Sequence, residues 1–144
     1  MPPVPLARHL LRAKDLIDAR YAEPLDIAAL AGAAHLSPAH FSREFRRTFG
    51  ETPHQYLLTR RLERAAALLR TTDHTVLEVC LDVGLVSIGS FTTSFGKLYG
   101  MTPMAYRAAH PPAARLARVP SCVARAYARR PSSRFGEDSP RSAD

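Results

Sequence analysis

Apolar residues along this chain recur at intervals of three and four, and no stretch shows the two-residue alternation of a half-buried strand. Leu6, Leu10, Leu11, Ala13, Ile17 and Tyr21 mark a first amphipathic helix over residues 6 to 20. Pro24 ends it, and Asp26 is placed to cap a second helix with Ile27, Leu30, Ala31 and Ala34 inside. In the turn that follows, Ser37 suits an N-cap and Pro38 the first helical position, where no amide donor is needed. The third helix runs to about Phe49, with Phe41, Phe45 and Phe49 on one flank and Ala39, Arg43, Arg46 and Arg47 largely opposite. A fourth begins at Thr52-Pro53 and reaches about Arg70, carrying Tyr56, Leu57, Leu62, Ala65, Ala66 and Leu69 inward. Thr75 with Glu78 matches a capping box that opens a fifth helix. A sixth over residues 88 to 99 and a short seventh over 103 to 109 complete an all-α set.

The pattern is written twice. Phe41, Phe45, Phe49, Gly50, Thr52, Pro53 and Tyr56 recur 50 residues later as Phe91, Phe95, Tyr99, Gly100, Thr102, Pro103 and Tyr106. Each copy predicts an aromatic-faced helix, a glycine stop and a capped proline start to the next helix. Upstream the offset is 49, pairing Ile27, Leu30, Ala31 and Ala34 with Val76, Val79, Cys80 and Val83; one extra turn residue before Ser87 restores 50. Two short helices across a tight turn, the second with an outward face, form the helix-turn-helix arrangement. The expected fold is therefore a seven-helix bundle of two helix-turn-helix subdomains joined by a long linker helix. Residues 1–109 are expected to form this domain, with its two units at about 25–50 and 75–100.

Charge adds a ligand class to that picture. The formal net charge is +7, which favours polyanionic partners through phosphate neutralisation and counterion release. Residues 1 to 109 carry 13 Lys or Arg against 10 Asp or Glu, whereas residues 110 to 144 carry 7 against 3. That last segment, 110–144, holds five of the twelve prolines and no sustained apolar period, and is read as a basic Pro/Arg/Ser-rich tail, mostly disordered. Cys122, Val123 and Tyr127 are its only candidates for a brief contact.

In these residues the chain resembles the AraC/XylS transcription regulators. Leu36-Ser37-Pro38-Ala39-His40-Phe41-Ser42-Arg43-Glu44-Phe45-Arg46-Arg47-Thr48-Phe49-Gly50 looks like that family's first recognition helix, and Arg60-Arg61-Leu62-Glu63-Arg64-Ala65 resembles its linker helix. Val83-Gly84-Leu85 through Phe91, Phe95, Gly100, Thr102-Pro103 and Tyr106-Arg107 resembles its second half. The resemblance implies a two-lobed domain that binds double-stranded DNA and regulates transcription. It resembles most the short, stand-alone members, with no sensor domain expected. Activation by placing RNA polymerase at a promoter, as a monomer, is the expected mode.

The candidate base readers in the first unit are Arg43, with Ala39, Ser42 and Arg46 alongside it. An arginine can donate two bonds to a guanine edge, and an alanine can meet a thymine methyl. Ser37, His40, Arg47, Arg60 and Arg61 are candidates for phosphate contacts, which position a protein without reading sequence. In the second unit Gly89, Ser90 and Thr93 take the base-facing positions, and Ser87, Thr92 and Lys97 the phosphate-facing ones. With one charge and no bidentate reader, that unit is expected to grip less specifically, or to approach the groove closely through Ile88 and Gly89. The phenylalanine pairs are core anchors and not a base-stacking platform. A second function stays open: a protein-interaction module that sequesters a regulator or an RNA polymerase subunit.

Catalysis, cofactors and metals find no support. His9, His35, His40, His54, His74 and His110 are scattered, without an i, i+4 pair and a third ligand nearby. No glycine loop suits a phosphate, and Cys80 occupies a core position of the repeat. No apolar run is long enough to span a bilayer and the start lacks a secretory pattern, so the expected location is the cytoplasm, with no membrane partner.

Overall fold

The computed structural model describes residues 4–111. The tail segment and the contact expected of Cys122, Val123 and Tyr127 lie outside the described residues. Among these the chain forms seven helices and no strand: α1 (Leu6–Arg20), α2 (Ile27–Ala33), α3 (Pro38–Phe49), α4 (Pro53–Thr71), α5 (Val76–Asp82), α6 (Ile88–Tyr99) and α7 (Pro103–Ala109).

The helix ends follow local chemistry. Asp26 accepts from the Ala29 amide at 2.7 Å, Ser37 from His40 at 3.3 Å, Ser87 from Ser90 at 3.2 Å and Thr102 from Ala105 at 3.1 Å. Each bond satisfies one of the amides that a helix start leaves without an internal partner. α3 and α6 both stop on a left-handed glycine, Gly50 at φ 85 and Gly100 at φ 76, whose amide donates back into the last turn at 2.8 Å. One cap is richer than the sequence suggested. Thr52 and Gln55 form a reciprocal capping box at the start of α4, with bonds of 2.9 and 3.2 Å. At α5 the expected box forms in its forward half, the Glu78 amide donating to Thr75 at 3.1 Å, while Glu78 Oε2 is buried without a partner.

The helices group into two compact units, which among the described residues comprise 4–64 with 83–85, and 65–82 with 86–111. α4 contributes residues to both. In the first unit Leu10, Ala13, Ile17, Leu30, Ala31, Ala34, Phe41, Phe45 and Leu57 form one buried cluster. Phe45 is its centre, edge-on to Phe41, Phe49 and Tyr56 with centroids 5.6, 4.6 and 5.9 Å away. The second unit repeats this with Phe95 against Phe91 at 5.7 Å and Tyr106 at 5.3 Å. Aromatic pairs in such geometry add about 0.5–1.5 kcal/mol to the area they bury. Cys80 is fully buried and burial pushes its thiol up, as a packing side chain requires and a nucleophile does not.

The two turns differ at one backbone position. Gly84 adopts φ +91, and a Cβ there would lie 2.7 Å from the Ala22 carbonyl oxygen, so only glycine fits. Its repeat counterpart is His35, a non-glycine residue at φ 58. The His35 ring stands edge-on to His9 at 4.9 Å.

Candidate nucleic-acid interface

α3 turns its two flanks to different surroundings. Phe41 and Phe45 are fully buried, and on the other side Ser37, Ala39, Arg43, Arg46 and Arg47 are exposed together. Arg43 and Arg46 have no ion-pair partner among the described residues, so their guanidinium donors face solvent. Arg47 is 80% exposed in its side chain and lies 3.7 Å from Glu44, which also faces His40 at 3.7 Å. His40 and Ser42 are half-buried at the edge of this face. Arg46 and Arg47 also occupy the last turn of α3, where a cation complements the carbonyl end of the helix. The local result is a short basic ridge on a helix whose orientation is fixed by two buried phenylalanines.

Arg60 and Arg61 do not join that ridge. Arg61 donates to the backbone carbonyls of Tyr21 at 2.6 Å and Glu23 at 2.8 Å, closing the segment after α1, and burial lowers its pKa. Arg60 lies 3.1 Å from Asp18 and 3.1 Å from Glu63. The same Asp18 accepts the Tyr56 hydroxyl at 2.6 Å. Arg60 thus ties α4 to α1, and Arg61 ties α4 to the segment after α1, so both arginines have partners within the fold. Apart from Glu63, the residues that receive them lie about 40 positions away in sequence, beyond the reach of local pattern.

On α6 the same register gives a different surface. Ser87, Gly89, Ser90, Thr93 and Lys97 are exposed and Thr92 is half-buried, while Phe91 and Phe95 are buried. Lys97 is the one cation of this helix. Just before this helix Val86 is 88% exposed, and its first residue, Ile88, is 44% exposed. Val86 is the extra turn residue where the repeat offset steps from 49 to 50, and it has no counterpart in the first unit to mark it.

Two short helices with a capped, outward-facing second member, present twice, define a helix-turn-helix protein of the two-unit kind. Residues 30–109 match the Helix-turn-helix domain family, and the chain belongs to that family in its AraC/XylS type. The chain is 34% identical over 91 residues to regulatory protein SoxS of Salmonella typhimurium, a match covering 63% of this chain and 85% of SoxS. It is 33% identical over 91 residues to the probable transcriptional regulator LumQ of Photobacterium leiognathi, covering 63% of this chain and 37% of LumQ. The match spans about a third of the length of LumQ and of several other relatives. Among solved structures, the DNA-binding domain of the global transcriptional factor AdpA in complex with a target DNA superposes with a TM-score of 0.62. It is 36% identical, and the alignment covers 74% of this chain and 93% of that one. No helix is long and apolar enough to cross a membrane, and no group of three potential metal ligands occurs among the described residues.

Proposed function

We propose that this protein is a sequence-specific regulator of transcription that inserts α3 and α6 into successive major grooves of one DNA duplex. The observation that carries the reading is the exposed face of α3, where Arg43 and Arg46 stand unpaired beside Ala39 and Ser42 on a helix anchored by Phe41 and Phe45. A major groove about 12 Å wide admits such a helix and displays a distinct donor and acceptor pattern for each base pair. Arg43 is assigned the main reading role, with Ala39, Ser42 and Arg46 beside it. Ser37, His40 and Arg47 contact phosphates. On α6, Gly89, Ser90 and Thr93 face the bases, and Ser87, Thr92 and Lys97 the backbone. Arg60 and Arg61 are left out because their donors serve the fold.

The reading requires the two helices to meet DNA about one helical turn apart, roughly 34 Å. A monomer then occupies an asymmetric site, and activation through contact with RNA polymerase is the direction of control assigned to it. The match to AdpA, whose structure holds a target DNA, supports duplex DNA as the ligand.

Titration of binding with salt on selected and on random duplexes tests this. A steep fall in affinity with salt on both, and a wide gap between them, is the expected result. A specific observation favours a second reading. Leu98, Met101 and Met104 are exposed in the second unit, where the corresponding positions of the first are Thr48, Glu51 and His54. A module that captures a regulator or polymerase subunit would use such a surface, and would show little salt dependence and no preferred duplex.

A further inference from the structure

Val86 and Ile88 are large apolar side chains that the fold leaves in water, 88% and 44% exposed. They flank Ser87, whose hydroxyl caps α6 by accepting from the Ser90 amide at 3.2 Å. The cap fixes how the chain enters the helix, so both side chains are held at its N-terminal end. In helix-turn-helix docking that end of the recognition helix meets the base edges. The neighbouring outward positions, Gly89, Ser90 and Thr93, bring no charge and no bidentate donor. Beyond the small hydroxyls of Ser90 and Thr93, what this end of α6 offers a groove is apolar contact.

The one apolar group displayed in the major groove is the C5-methyl of thymine. We propose that Val86 and Ile88 read thymine methyls in the half-site facing α6, which makes them specificity-determining residues of the second unit. The inference rests on the DNA-reading function proposed above. A protein partner for the same side chains is disfavoured by their continuity with the outward face of α6, and becomes an outcome of the test.

Deoxyuridine keeps every pairing and groove hydrogen bond of thymine and removes only the methyl. A duplex is first selected for the full chain from a random pool. Its thymines are then exchanged for deoxyuridine one at a time across the half facing α6. The wild-type chain should lose about fourfold in affinity for each methyl it touches. Val86→Ser/Ile88→Ser should bind the thymine duplex more weakly by about tenfold or more and be indifferent to the exchange. Its salt slope should stay that of wild type, because no phosphate contact has been removed. Val86→Ser alone takes nothing from the core and should show part of the same loss, with an unchanged thermal transition.

A selected half-site without thymine there, or wild-type binding insensitive to every exchange, overturns the inference and leaves the DNA-reading function standing. So does a variant that stays as sensitive as wild type. Failure to prefer any duplex over random DNA overturns that function and this inference with it, and leaves the apolar pair to a protein partner.

Discussion

The helix-turn-helix built from α2 and α3 and the one built from α5 and α6 bury matching side chains and show solvent different ones. Phe41 and Phe45 in one, Phe91 and Phe95 in the other, are each at most 1% exposed, and both α3 and α6 end on a left-handed glycine. Outside, the positions that hold Arg43, Arg46 and Arg47 on α3 hold Thr93, Gly96 and Lys97 on α6. Close packing constrains the inner face, since a core tolerates few changes of volume or shape. The outer face is largely exposed in the free protein, so packing does not hold its residues to one shape.

The largest expected effect tests the sameness of the cores. Phe45→Ala and Phe95→Ala should each cost about 3–5 kcal/mol in denaturant titrations, because both rings are fully buried among other aromatics. A variant that one unit tolerates and the other does not would break the parallel.

The turns should respond unequally. Gly84→Ala places a Cβ against the Ala22 carbonyl at φ +91, and should cost about 3 kcal/mol from strain and displacement. His35→Gly relieves a left-handed non-glycine residue but loses the ring contact with His9, so thermal stability should change by no more than about 1 kcal/mol.

Binding should be uneven. Arg43→Ala should weaken affinity for a selected duplex by about 1–3 kcal/mol, and Thr93→Ala by well under 1 kcal/mol. Equal losses in fluorescence-anisotropy titrations would remove the asymmetry.

The smallest effect concerns alkaline pH. Burial first, and then the hydrogen bond to Asp18, raise the Tyr56 pKa above its ordinary 10.0. The fold thus holds this proton more tightly than the unfolded chain does. The stabilisation is complete below about pH 10 and is lost as pH climbs beyond it. Tyr56→Phe should flatten the decline of stability at high pH, measured by urea denaturation across that range.

Much of this was legible in the sequence because the governing signals are local. Three-and-four periodicity, the Thr75–Glu78 capping box and the 50-residue repeat together placed all seven helices, and Asp26, Ser37 and Thr102 announced their own caps. The outward exposure of Arg43 and Arg46 followed from setting the phenylalanines inside. The role of Arg60 and Arg61 was not legible, since the carbonyls of Tyr21 and Glu23 and the carboxylate of Asp18 reach them only through tertiary packing. Thr52 marks the start of α4 in the sequence, and the bond its amide donates to Gln55 Oε1 is seen only in the structure. His35 carries no sequence mark of its left-handed backbone, because histidine lacks the glycine signal that its counterpart Gly84 displays.

Selection of bound duplexes from a random pool, carried out with the wild-type chain, tests the unequal reading by the two helices most directly. The prediction is a consensus sharply defined in the half facing α3, and a fainter half facing α6 that holds thymines and little else. Two halves of equal sharpness, or a sharp half that persists unchanged with Arg43→Ala, would contradict it.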